Sequence, residues 1–158
     1  MKQRALVILF LFLAAAVGMA HAQTGRAGGN TGLGIIFGEP TGVSFKYWTG
    51  RTVAMDAAAA WSFVNGGSFQ FHTDILFHSF DIFRVEKGRM ALYYGFGGRF
   101  KTKTDTDRAR LSFRVPIGIS YEFERAPVEL FVEIAPMLDL TPKTEGNLGG
   151  GIGFRYYF

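Results

Sequence analysis

The sequence predicts an all-β protein, an eight-stranded antiparallel up-and-down transmembrane β-barrel. Three observations predict it: an export-type N-terminus, no apolar run after it that is long enough for a membrane helix, and regular alternation of apolar with polar residues. Alternation is required of a membrane barrel because lipid-facing and interior-facing residues exchange at every step along a strand.

The N-terminus has the three parts of a secretory signal peptide. Lys2 and Arg4 precede an apolar stretch at 5–17, and Ala20-His21-Ala22 is a small-residue cleavage motif. We therefore expect a cleaved signal at 1–22 and a barrel domain at 23–158. The apolar stretch is shorter than the ~20 residues of a membrane-spanning helix.

Composition excludes several other classes. Removing Lys2 and Arg4 with the signal lowers the formal net charge from +4 to +2, so no concentrated basic surface indicates nucleic-acid binding. The chain has no cysteine, which excludes disulfides, thiolate metal sites and a lipid-anchored N-terminal cysteine.

Alternation is clearest in residues 111–123. Every odd position there is apolar or aromatic, and no even position holds a large hydrophobic residue. Residues 128–141 alternate in the same way, and the turn at 124–127 predicts a hairpin between the two segments. The same criterion gives eight segments, near 32–38, 42–49, 52–63, 68–79, 89–102, 109–124, 128–141 and 147–158. An even number places both termini on one side, which is the periplasm in exported barrels.

A soluble lipocalin-like barrel would show the same alternation with the apolar face inside. We favour the membrane form because the polar face carries both charge signs, which can pair in a narrow interior, and because the other face is rich in aromatic residues. The predicted interior polar network consists of Lys46, Asp56, His72, Asp74, His78, Arg99, Arg114, Glu122, Glu129, Glu133, Asp139 and Arg155.

The C-terminal run carries Phe154, Tyr156 and Phe158 on one strand face. This pattern resembles the C-terminal signal of bacterial outer-membrane proteins, which the barrel assembly machinery recognises. The resemblance implies that the chain resides in the outer membrane of a Gram-negative envelope.

A second resemblance rests on several short motifs. They are Gly-Glu-Pro-Thr-Gly at 38–42, Lys-Tyr-Trp at 46–48, and the segments 72–78, 94–99 and 114–118. Together they resemble a family of small bacterial outer-membrane barrels, largely of unassigned function. The resemblance implies fold and location, and it brings no catalytic residue and no cofactor.

Direct evidence of chemistry is sparse in the sequence. His72, Asp74 and His78 share one strand face, but same-face neighbours are ~6.6 Å apart along a strand, so His78 lies ~13 Å beyond Asp74. A polar interior network explains them better than a metal or catalytic site. Pro116 and Pro136 fall at nearly the same height on neighbouring strands, where each removes a ladder donor, and this predicts either local curvature or a lateral seam.

We therefore predict a structural or surface-interaction role, no enzymatic activity and no cofactor. The alternatives are a narrow pore or a conduit for a small hydrophobic ligand and, less favoured, a lipid-modifying enzyme. Expected partners are outer-membrane lipids and lipopolysaccharide, whose phosphates the charged tip at 101–110 could contact, and the barrel assembly machinery during biogenesis. No nucleic acid is expected, and the chain is predicted to be a monomer.

Overall fold

The computed structural model of the protein describes residues 28–39, 41–62, 68–103 and 109–158. The predicted signal peptide at 1–22 and the centre of the charged tip, 104–108, lie outside these ranges. The described strands are β1 (Thr31–Glu39), β2 (Gly42–Trp48), β3 (Val53–Ser62), β4 (Ser68–Ser79), β5 (Arg89–Lys103), β6 (Ala109–Arg114), β7 (Ile117–Glu122), β8 (Val128–Thr141) and β9 (Glu145–Tyr157).

These strands form one antiparallel sheet that closes into a ring. Each of β1 to β4 pairs with the next strand, and β8 pairs with β9. The ring closes where β1 pairs with β9, with Ile35 opposite Phe154. Both ends of the described chain meet at one end of the ring, because the Phe158 amide donates to the Thr31 carbonyl at 2.9 Å.

Nine strands are observed where eight were predicted. The difference lies in the predicted segment 109–124, which is divided into β6 and β7 at Val115 and Pro116. Proline has no N–H to donate to a sheet ladder, so the regular pattern stops there. Both β6 and β7 pair with β5 on one side and β8 on the other, so they lie end to end in one position of the wall.

The wall stays hydrogen-bonded across this break. The Val115 amide donates to the Pro136 carbonyl at 3.0 Å, and the Gly95 amide donates to the Pro116 carbonyl at 2.9 Å. The two prolines therefore do lie at the same height, as predicted. Because bonds continue on both sides of Pro116, the geometry favours local curvature over a lateral seam.

The two faces of the sheet differ sharply in polarity. In β8, Glu129 and Glu133 are buried inside the ring, whereas Val132 and Ile134 are half or more exposed on the outside. Other strands repeat the pattern, and the exposed outer residues include Leu33, Ile35, Val43, Phe45, Tyr94, Phe96, Phe113, Ile117, Leu138, Ile152 and Phe154. A soluble barrel has the opposite arrangement, with hydrophobic residues inside.

Small residues on the inner face make room for large ones. A β-carbon at Gly153 would overlap the Phe131 ring, and one at Gly118 would overlap the Tyr93 ring. A narrow ring can therefore be filled by aromatic and charged side chains together. The described residues include no helix that is long and apolar enough to cross a membrane.

Candidate functional site

All twelve residues of the predicted polar network lie inside the ring and are buried. Contacts between acidic and basic side chains connect eight of them into one cluster, here called the interior network: Lys46, Asp56, His72, Asp74, Arg114, Glu129, Glu133 and Arg155. Period-2 alternation explains why these side chains all point inward.

Arg155 on β9 joins three other strands. Its guanidinium binds Asp56 on β3 and lies 3.5 Å from Glu129 Oε2 on β8, and its Nε donates to Ser44 Oγ on β2 at 2.9 Å. Lys46 Nζ lies 2.6 Å from Glu129 Oε1. Side chains from four strands therefore meet at one level inside the ring.

Arg114 on β6 forms the other half of the network. Its Nε donates to Asp74 Oδ2 at 2.8 Å, and its Nη2 binds Glu133. Tyr93 donates its hydroxyl to Glu133 Oε2 at 3.0 Å. These ion pairs join β4, β6 and β8, so charged side chains cross the interior between distant parts of the wall.

His72 lies between the two halves. Its Nε2 is 3.7 Å from Asp56 Oδ1 and 3.8 Å from Asp74 Oδ2. Asp56, His72 and Asp74 each offer one donor atom within 4.8 Å of the others, which makes them a candidate cation site.

His78 contacts the interior network at Lys46, away from His72 and Asp74. Its Nε2 is 3.0 Å from Lys46 Nζ, and its ring centroid is 4.3 Å from that of Trp48. The shared strand face of these two histidines therefore does not bring them to one site, in agreement with the loose spacing in the sequence.

The remaining predicted residues lie towards the two ends of the ring. Arg99 Nη2 donates to Asp139 Oδ1 at 2.8 Å, beside Ser112 and at the end opposite the termini. Arg110, nearly half exposed, lies 3.5 Å from Asp139 Oδ2. At the terminal end, Arg89 Nη1 lies 3.6 Å from Glu122 Oε2.

The fold of this chain is similar to that of a solved structure whose sequence identity to it is low. No protein-family profile and no curated protein sequence matches the chain. The fold is similar to that of the N-terminal β-barrel domain of Pseudomonas aeruginosa OprF. The match has a TM-score of 0.53 at 17% identity and covers 82% of this chain and 100% of the OprF chain. At this identity the likeness shows the fold alone. The resemblance of the short sequence motifs to a family of small outer-membrane barrels therefore stays a prediction.

Sequence reasoning missed the hydroxyl groups that complete the network. The Trp48 Nε1 donates to the Tyr157 hydroxyl at 3.1 Å, and that hydroxyl donates to Glu129. The alternation in the sequence already placed these side chains on the inward-facing side of their strands. Which carboxylate each would meet depends on pairings between residues far apart in the chain.

Within the described part of the chain, the hydrogen bonds of Ser44 and Ser112 go to charged side chains and not to a histidine. Ser44 accepts from Arg155, and Ser112 donates to Asp139 Oδ1 at 2.5 Å. His72 instead faces two carboxylates. The network as described can hold charge and fix the shape of the wall, and the expectation of no enzymatic activity stays a prediction.

Proposed function

We propose that the protein is a small integral outer-membrane barrel with a structural or surface-interaction role, its interior closed by paired charges. Its wall has eight positions, with β6 and β7 sharing one, and both termini face the periplasm. The observation that carries the proposal is the inverted polarity of the ring: buried ion pairs inside, and large hydrophobic side chains exposed outside.

Physical chemistry supports a lipid environment for this surface. An exposed apolar face of this extent is rare on a soluble monomer, whereas a closed barrel satisfies its backbone hydrogen bonds within the bilayer. The predicted signal peptide and the aromatic pattern of Phe154, Tyr156 and Phe158 agree with export to the outer membrane. The partners we propose are outer-membrane lipids and lipopolysaccharide, with the assembly machinery acting during biogenesis.

Paired charges across the interior favour this role over a conduit. Lys46 with Glu129 and Arg114 with Asp74 are fully buried pairs that connect different strands. Moving them aside to admit a hydrophobic ligand would separate charges in a low-dielectric interior. We therefore expect no conductance when the purified protein is reconstituted in planar bilayers at 1 M KCl. Stepwise conductance above that of empty bilayers would overturn the closed interior and support the conduit.

Orientation and location can be tested together, because the chain has no cysteine. Lys143 is exposed at the end opposite the termini, and Lys87 is exposed at the terminal end. We expect a membrane-impermeant maleimide to label Lys143→Cys on intact cells, and Lys87→Cys only after the outer membrane is permeabilised. Labelling of Lys87→Cys on intact cells, or of neither variant before permeabilisation, would contradict the proposed orientation.

A further inference from the structure

We propose that Asp56, His72 and Asp74 bind a divalent transition-metal ion in the middle of the interior network. The first reason is the charge count. The network holds three cations, Lys46, Arg114 and Arg155, against four carboxylates, Asp56, Asp74, Glu129 and Glu133, all of them buried. Asp139 lies outside this network and has Arg99 and Arg110 as its partners. An uncompensated buried charge is costly.

Two of the four carboxylates, Asp56 and Asp74, face each other. These residues are direct partners in the register of β3 and β4. Like charges directly opposite each other destabilise a sheet. His72, two residues before Asp74 on β4, turns its Nε2 towards both carboxylates. The site therefore combines repulsion between two acids with a neutral nitrogen donor.

The distances fit an ion between the three groups better than a hydrogen bond. At 3.7 and 3.8 Å, His72 Nε2 is too far from either carboxylate oxygen for an N–H···O bond, which spans 2.7–3.2 Å. Two ligand atoms that each lie about 2.1 Å from one metal are separated by about 3.4–3.6 Å in tetrahedral or trigonal geometry. The observed separations differ from this by a few tenths of an ångström.

Two of the three residues also carry an unpartnered polar atom. Asp74 Oδ1 and His72 Nδ1 are buried and have no hydrogen-bond partner among the described residues. Each of the two residues is 2% exposed. A buried carboxylate that keeps one oxygen without a donor, next to a second carboxylate, favours a positively charged ligand.

The arginines hold the carboxylates in position for such an ion. Arg155 binds Asp56 through Oδ2, which leaves Oδ1 directed at His72. Arg114 fixes Asp74 through Oδ2. Hydrogen bonds of this kind orient metal ligands and raise metal affinity. One imidazole with two carboxylates suits Zn²⁺ or Mn²⁺, whereas Ca²⁺ prefers six to eight oxygen ligands.

The test uses the full mature chain folded in detergent micelles, stripped with chelator and titrated with ZnCl₂ by calorimetry. We expect one saturable site in the wild type, and at least tenfold weaker binding in His72→Gln because one of three ligands is lost. His78→Gln is the matched control, since His78 is also buried on β4 but contacts Lys46 instead of the two acids. Its affinity should equal that of the wild type.

Folding of each variant is checked by heat-dependent mobility in SDS gels. Absence of binding in the wild type, unchanged binding in His72→Gln, or an equal loss in His78→Gln would overturn the site. If His72→Gln does not fold, the imidazole ¹⁵N resonances of His72 and His78 in the wild type are compared with and without Zn²⁺. A Zn²⁺-dependent shift at His72 and none at His78 supports the site, and any other pattern overturns it.

Discussion

Lys46 Nζ lies 2.6 Å from Glu129 Oε1, and neither side chain is exposed to solvent. The two residues are 83 positions apart in the chain. Lys46 belongs to β2 and Glu129 to β8, so their contact spans the interior of the ring instead of following the sheet. Such a contact stabilises the ring only if both charges stay paired, because either one alone would be a buried, uncompensated ion.

Replacing Lys46 should therefore destabilise the fold markedly. We expect Lys46→Met to lower the free energy of unfolding by about 3–5 kcal/mol, since Glu129 loses a buried partner. Arg110→Gln is the control, because Arg110 is nearly half exposed in its contact with Asp139 and should cost at most about 1 kcal/mol. Urea unfolding in micelles, followed by tryptophan fluorescence, measures both, and equal losses would contradict the prediction.

We expect an added methyl group to destabilise the fold at Gly97 but to be tolerated at its neighbour Gly98. A β-carbon at Gly97 would overlap the Thr73 carbonyl and the Asp74 carboxylate, and so displace the partner of Arg114. At Gly98 the nearest atom, the Ser112 carbonyl oxygen, would be 3.8 Å away. We expect Gly97→Ala to cost about 1–3 kcal/mol by overpacking, and Gly98→Ala to stay within about 0.5 kcal/mol. The same unfolding assay applies, and the prediction fails if the two variants behave alike.

The outer face should respond to charge according to depth in the bilayer. Ile134 lies at the middle of β8 and is 57% exposed, and Leu148 lies near one end of β9 and is 72% exposed. In lipid vesicles we expect Ile134→Arg to cost about 2–4 kcal/mol and Leu148→Arg about 0–1 kcal/mol. Similar losses in the free energy of unfolding at both positions would contradict a bilayer around this outer face.

The wall beside Pro116 should exchange its amide hydrogens slowly. Both Val115 and Gly95 donate backbone bonds across the break between β6 and β7. Hydrogen exchange followed by NMR in micelles should show both amides protected to the level of central β8 residues such as Val132. Rapid exchange at Val115 and Gly95 would instead support the lateral seam.

The alternation of apolar and polar residues correctly predicted which side chains of β8 face the interior of the ring. In β8 the alternate positions Glu129, Glu133 and Asp139 lie inside, as the sequence indicated. The strand count differed at one place because alternation passes through Pro116 unchanged, while the missing N–H interrupts the ladder.

The pairings inside the ring could not be predicted in the same way. Period-2 patterning gives a side chain its face but not its height relative to strands far along the chain. His78 shows this limit. It shares a face with His72 but contacts Lys46, although the strand registers place Lys46 opposite Asp56 and Asp56 opposite Asp74. The candidate site needs Asp56 from β3, which only the β3–β4 register places opposite Asp74.

Arg155 links closure of the wall to the pairing of two interior carboxylates. It lies on β9, the strand that closes the ring against β1, and it contacts Asp56 and Glu129 on two other strands. Before β9 is in place, those two carboxylates lack this guanidinium. Pairing of β9 with β1 therefore also brings Arg155 to Asp56, and a sheet without β9 would leave Glu129 with Lys46 as its remaining charged partner in the interior network.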